Sequence, residues 1–105
     1  MIARIWHGRT RAKDAEAYLA FLRERAIPDY RGTPGNCGVF LASRLEGNVA
    51  HFLTITHWES LEAIRAFAGE DISRAKYYPE DKEFLLEFEP TVQHYDLESA
   101  AGYAA

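Results

Sequence analysis

The sequence is short of several things, and each shortage excludes a class of protein. It has one cysteine, Cys37, in 105 residues. No internal disulfide can form, so the expected setting is reducing and cytoplasmic, and Cys37, with no basic partner nearby in sequence, reads as a buried thiol. No apolar run approaches the ~18 residues of a membrane span. The start, Met-Ile-Ala-Arg-Ile-Trp-His-Gly-Arg, has no uninterrupted apolar stretch, which argues against a signal peptide. Basic charge is scarce as well. The formal net charge is −4, so the chain lacks the cationic face that nucleic acid requires. There is no glycine-rich phosphate loop, no dinucleotide fingerprint and no Gly-x-Ser-x-Gly elbow. Hence no cofactor is expected.

What is present suits one small globular domain. Hydrophobic residues make up 48% and aromatics 13%. A chain this short buries somewhat over ~60% of its unfolded surface, enough for a single thin core. The acids are unevenly placed. Between residues 80 and 98 stand Glu80, Asp81, Glu83, Glu87, Glu89, Asp96 and Glu98 against the single base Lys82, a pattern that reads as solvated surface.

Residues 2–9 read as a strand with Ile2, Arg4 and Trp6 on one face and Ala3, Ile5 and His7 on the other. Residues 14–27 read as a helix with Ala15, Tyr18, Leu19, Leu22 and Ala26 as its apolar stripe, ended by Pro28. Arg31 to Asn36 is a loop by its chemistry. Residues 37–45 and 49–58 read as a hairpin around Glu46-Gly47-Asn48. Ser60 is an expected N-cap for a second helix bearing Leu61, Ile64, Phe67 and Ala68, and Gly69 suits its end. Ile72–Tyr78 and Glu80–Glu87 are read as short helical turns around Pro79, and 91–97 as a last strand. The domain is thus expected over 1–98, with a loose tail from Ser99 to Ala105.

This order, β-α-β-β-α-β, predicts an α+β ferredoxin-like fold with a four-stranded antiparallel sheet. Along 49–58 neither side is purely polar: Val49, His51, Leu53, Ile55 and His57 alternate with Ala50, Phe52, Thr54, Thr56 and Trp58. Both faces should therefore be covered, and two helices can cover only one. A second copy of the chain, sheet against sheet, is the expected cover, giving a homodimer of the dimeric α/β-barrel kind.

At Thr56-His-Trp-Glu-Ser60, followed by Glu62-Ala-Ile and Phe67, the sequence resembles the antibiotic-biosynthesis-monooxygenase-like family across about residues 1–97. The resemblance implies the same fold. It also implies a choice among cofactor-independent oxygenation of quinols, haem degradation and isomerisation of small metabolites, in a family that has many members of no known function. The haem-degrading branch uses an Asn on the first strand, a Trp on the second helix and a later His that ligates iron. Counted without gaps from Trp58, those positions hold Trp6 or His7, then Phe67, then Lys76. None matches, and a protonated lysine is a poor iron ligand.

The candidate site follows from which side chains can share a pocket. His94 is the favoured base, because a histidine titrates near neutrality; the plainer reading is a strand histidine satisfied by hydrogen bonds. Arg4 and Trp6 could hold a substrate anion by charge and by the indole N–H, or stand as an interface arginine beside a core tryptophan. Tyr77 and Tyr78 lie in the irregular segment expected to rim the pocket, with Tyr77 a possible catalytic donor. Phe67 is a pocket wall or the buried face of its helix, and Trp58 is core. The four histidines carry no metal spacing: His51 and His57 are six residues, ~20 Å, apart on one strand, and His7 and His94 are read as lying on strands that are not neighbours. No metal is expected. The leading function is cofactor-independent oxygenation of a small aromatic or quinol. The alternatives are an isomerase or lyase using His94, and a barrel that only binds a small hydrophobic metabolite.

Because Phe67 and Lys76 replace residues of the haem-degrading branch, titration with hemin followed at the Soret band is expected to show no saturable one-to-one site. A saturable site with a histidine-ligated spectrum would overturn this expectation.

Overall fold

The computed structural model describes residues 1–99; the expected tail, Ser99 apart, lies outside the described residues. The elements run β1 (Ile2–Arg11), a 3-10 turn Ala12–Asp14, α1 (Ala15–Phe21), a π-helical stretch Leu22–Ala26, α2 (Ile27–Arg31), β2 (Asn36–Glu46), β3 (Val49–Trp58), α3 (Leu61–Ala68), a 3-10 turn Pro79–Glu83 and β4 (Gln93–Asp96). The strands form one antiparallel sheet in the order β2-β3-β1-β4. This is the expected α+β ferredoxin-like arrangement.

Each element follows from a local cause. The β2–β3 hairpin turns at Gly47, whose φ of 59° suits the first central position of a primed two-residue turn. Ser60 caps α3, its hydroxyl accepting the Ala63 N–H at 3.1 Å. Pro28, however, does not end the first helix. The Ile27 N–H reaches back five residues to Leu22 O, which opens one turn just ahead of the proline. A proline ring otherwise presses on the carbonyl four residues back; the wider π turn relieves it, and the helix continues to Arg31. Residues 72–78 are not helical either. Ile72 and Ser73 form a turn closed by the Arg74 N–H to Asp71 O, and the chain then runs on without helix from an isolated bridge between Arg74 and Thr91. Cys37 is exposed rather than buried, its thiol donating to Gly35 O at 3.6 Å.

The helices cover one face of the sheet, and the core lies there. Tyr18, Leu22 and Ala26 from the first helix and Ile64 and Phe67 from α3 pack on Trp6, Ala50, Phe52 and Trp58. Along β3 burial alternates strictly, with Ala50, Phe52, Thr54, Thr56 and Trp58 buried. Trp6 lies across Gly8: a Cβ there would stand 2.3 Å from the tryptophan ring. The other face carries Ile5, His7, Leu53, Ile55 and Phe40; among the described residues no helix covers it, and only the segment before β4 reaches it, through Glu89 on His7 and Glu87 on Arg9. Phe40 is 50% exposed and Tyr95 55%.

Two measurements test this architecture. Gly8→Ala should lower unfolding stability by about 1–3 kcal/mol, the cost of overpacking a filled site, read from urea unfolding monitored by tryptophan fluorescence. Light scattering at micromolar concentration should give twice the 12.0 kDa of one chain, because the open face is too apolar to stand in water alone. A monomeric mass would remove the barrel arrangement.

Candidate functional site

The site forms where β1 and β4 meet beneath the helices. These strands are neighbours, contrary to the sequence-based expectation, and Arg4 stands directly opposite His94. Arg4, Trp6 and His94 therefore share the helix-covered face. The expectation failed because it placed the two strands by chain position, whereas β1 is an inner strand of this sheet.

Arg4 is only 2% exposed. One guanidinium nitrogen, Nη2, donates to Arg74 O at 2.8 Å, and the group stands over the Phe67 ring, 5.5 Å from its centroid. Burial lowers the pKa of Arg4, partly offset by Tyr30 and Tyr78. His94 is half-buried, and desolvation followed by the Arg4 charge pushes its pKa below the ordinary histidine value. It is thus neutral, and able to accept a proton, at pH 7. Among the described residues three buried side-chain polar atoms have no hydrogen-bond partner: Arg4 Nε, Trp6 Nε1 and His94 Nε2. All three lie on this one face, on two adjacent strands. Unpaired buried polar groups cost about 1–3 kcal/mol each, so they mark a place where a polar partner belongs.

Beside Trp6 lies a cavity lined also by Tyr30, Thr54, Lys76, Tyr78 and Asp81, among others; neither Arg4 nor His94 lines it. It is nearly filled, holding about 10 Å³, room for about one water. Of the expected site residues only Trp6 and Tyr78 line it. Phe67 is buried, stacked on Tyr30 with centroids 4.5 Å apart, and Trp58 is core, as expected.

The rim is tied shut by side chains from the segment 72–78. Lys76 Nζ donates to Asp29 Oδ2 at 2.8 Å, and Tyr78 OH donates to the same oxygen at 2.6 Å. Burial raises Asp29, but these two hydrogen bonds outweigh it and hold its pKa below the usual value. Lys76 Nζ also lies 4.2 Å from the Phe67 ring centroid. Asp81, buried, accepts from Tyr18 OH at 2.8 Å and from the Tyr78 N–H at 2.7 Å, and desolvation raises its pKa. Sequence reasoning missed Lys76, Asp29 and Asp81 as rim groups; only their place beside Tyr77 and Tyr78 hinted at the first and last.

Tyr77 faces elsewhere. Its hydroxyl donates to Glu89 O at 2.5 Å, and its ring meets Trp6 edge-on with centroids 6.2 Å apart. Desolvation raises its pKa, and the nearby Trp6 N–H offsets part of the rise without reaching good hydrogen-bond geometry. The Tyr77 hydroxyl is thus a donor already in use, and Tyr78, whose pKa burial and Asp29 both raise, is likewise a donor and not a base. Among the described residues no group of three or more His, Cys, Asp or Glu side chains could hold a metal ion, and no helix is long and apolar enough to cross a membrane. A haem does not fit the donor set: the Lys76 ammonium, at the position a haem-ligating histidine would take, is engaged by Asp29.

No family model and no curated protein sequence matches the chain. Solved structures do match it. The haem degrader MhuD of Mycobacterium tuberculosis, with two haems bound, is 20% identical over 97% of this chain and 100% of its own, at a TM-score of 0.65. A Nitrosomonas europaea protein of unknown function is 19% identical over 99% and 95%, at 0.60. A Bacillus cereus protein assigned as an antibiotic biosynthesis monooxygenase is 14% identical over 99% and 97%, at 0.56. At these identities the likeness establishes architecture, and the chain has the fold of the antibiotic-biosynthesis-monooxygenase-like proteins.

Proposed function

We propose that the protein is a cofactor-independent monooxygenase-like enzyme acting on a small aromatic or quinol-type metabolite, with its site between the sheet and the helices. The observation that carries this reading is the trio of unpartnered buried polar atoms on Arg4, Trp6 and His94. A neutral imidazole beside a fixed cation suits removal of a proton from an acidic carbon or phenol, with the anion held by Arg4 and by the Trp6 N–H. Such an anion is electron-rich enough to reduce dioxygen itself. One oxygen atom stays in the product as a carbonyl and the other leaves as water, so no external reductant is consumed. Tyr77 and Tyr78 serve as rim donors, and Phe67 as an apolar wall.

The acting unit is a homodimer, with a second copy on the open sheet face. The unpaired, exposed Cys37 suits a reducing, cytoplasmic setting. The nearly filled cavity means that a substrate enters only if the Lys76–Tyr78 rim moves. That same tightness favours, as the second reading, a barrel that binds a small hydrophobic metabolite without turning it over.

Oxygen uptake with a panel of hydroquinones and anthrones is the test. Turnover should rise with pH to a plateau, since only neutral His94 accepts a proton, and its midpoint should lie below the ordinary histidine value, as burial dictates. His94→Ala should lose ~10²–10⁴-fold in kcat while the circular dichroism spectrum persists. Binding without oxygen uptake would leave the binding reading. Full activity in the His94→Ala variant would remove the histidine from the mechanism.

A further inference from the structure

A second cluster of titratable groups lies on the opposite, open face of the sheet. Glu89 Oε2 is 2.5 Å from His7 Nδ1, His7 Nε2 is 3.0 Å from His51 Nδ1, and His51 Nε2 is 2.8 Å from Glu46 Oε1. Four side chains, from β2, β3, β1 and the segment before β4, thus form one unbroken chain. The imidazole centroids are 5.3 Å apart. That exceeds the N···N contact by only about one ring width, so the two rings lie end to end with their nitrogens facing in line. A zinc-type ion needs roughly 2.0 Å to each nitrogen and has no room between them; a proton fits.

The proton count follows from the contacts. Each of three hydrogen bonds requires one proton. Two neutral imidazoles bring two, and ionised carboxylates bring none. A fully bonded chain therefore holds one proton more than its neutral-histidine form, wherever along it that proton resides. Without it, one of the three contacts brings two lone pairs together, and which one depends on the tautomers. The surrounding charges are the two terminal carboxylates, Arg44 at 3.8 Å from Glu46, and Arg9, which is held by Glu87 at 2.6 Å.

Glu89 gives this chain a use. Its carboxylate ends the proton chain on one face, while its backbone carbonyl accepts the Tyr77 hydroxyl, whose ring abuts Trp6 at the candidate pocket. We propose that Glu46, His51, His7 and Glu89 form a single-proton latch that fastens the strap 84–90 to the sheet and, through Glu89, sets the position of Tyr77 at the pocket. Loss of the proton weakens the strap; its uptake tightens it. The latch does not depend on the reaction assigned to the pocket.

The test uses the whole protein and needs no substrate. Long-range ¹H–¹⁵N spectra of the histidine rings, followed over pH, should show His7 and His51 sharing one extra proton that is lost in a single step. The Tyr77 ring signals and the exchange of the Leu86 amide, which bonds to Arg9 O at 2.9 Å, should change with the same midpoint. Glu89→Gln keeps an acceptor but removes one charge, and should shift both midpoints together to lower pH. His57→Gln, on the same strand but outside the chain, should move neither. Independent titration of His7 and His51 would overturn the shared proton. A Tyr77 signal that ignores the histidine step would overturn the coupling.

Discussion

Arg4 is a buried cation with no carboxylate against it among the described residues, and much of the molecule is arranged around that fact. Leaving a charge in a protein interior costs several kcal/mol unless it is solvated by the protein. Its visible partners are the Arg74 carbonyl and the Phe67 ring. A hydrogen bond from a charged group contributes about 1.5–3 kcal/mol, and a cation over an aromatic ring about 0.5–2 kcal/mol. These partners offset only part of the cost, and Nε is left without an acceptor. The Arg74 contact also draws the segment 72–78 down over the sheet, where Lys76 and Tyr78 then meet Asp29. An anionic ligand would complete the solvation of Arg4 and compete for the interactions that hold the rim.

The sheet keeps two chemistries apart by alternation alone. On β1, Arg4 and Trp6 face the helices while Ile5, His7 and Arg9 face out. Neighbours in sequence therefore serve different sites. Glu89 is the point at which the two come together, because its side chain and its backbone carbonyl bond to opposite sides of the same strand's neighbourhood. Beyond these, its segment is tied to the sheet and to its neighbours by the Leu86 N–H to Arg9, the Ala75 N–H to Pro90, the Thr10–Leu85 bridge and the Arg9–Glu87 pair. A strap secured by so little backbone bonding responds to a change at one side chain.

Features set by local chemistry were legible in the sequence. The alternation of β3, the turn at Gly47 and the cap at Ser60 each depend on residues a few positions apart, and all three stand where their residue types put them. The site residues Arg4 and Trp6 were assigned to one face by period two, and that assignment holds. Features that depend on partners far along the chain were not legible. The passage of the helix through Pro28 requires a π turn that no propensity signals. The neighbouring of Arg4 and His94, and the end-to-end meeting of His7 and His51, depend on strand order and on the β1–β3 register, in which His7 pairs with Leu53 and His51 with Arg9. A reading that compared His51 with His57 along one strand, and His7 with His94 across strands, did not reach that pair. The run 72–78 also misled, because its stabilising contacts, Arg74 to Arg4 and Lys76 to Asp29, are 70 and 47 residues distant in sequence.

Likeness of fold to haem degraders leaves the chemistry of this pocket to its own donors. A pocket that ligates iron through a side chain needs a neutral, soft-enough nitrogen with a free lone pair. Lys76 offers an ammonium, which has three donors and no lone pair, and one of those donors is taken by Asp29 Oδ2 at 2.8 Å. Arg4 adds a second cation within reach of the same Phe67 ring. Two cations thus stand against one aromatic ring, with His94 opposite Arg4 on the neighbouring strand.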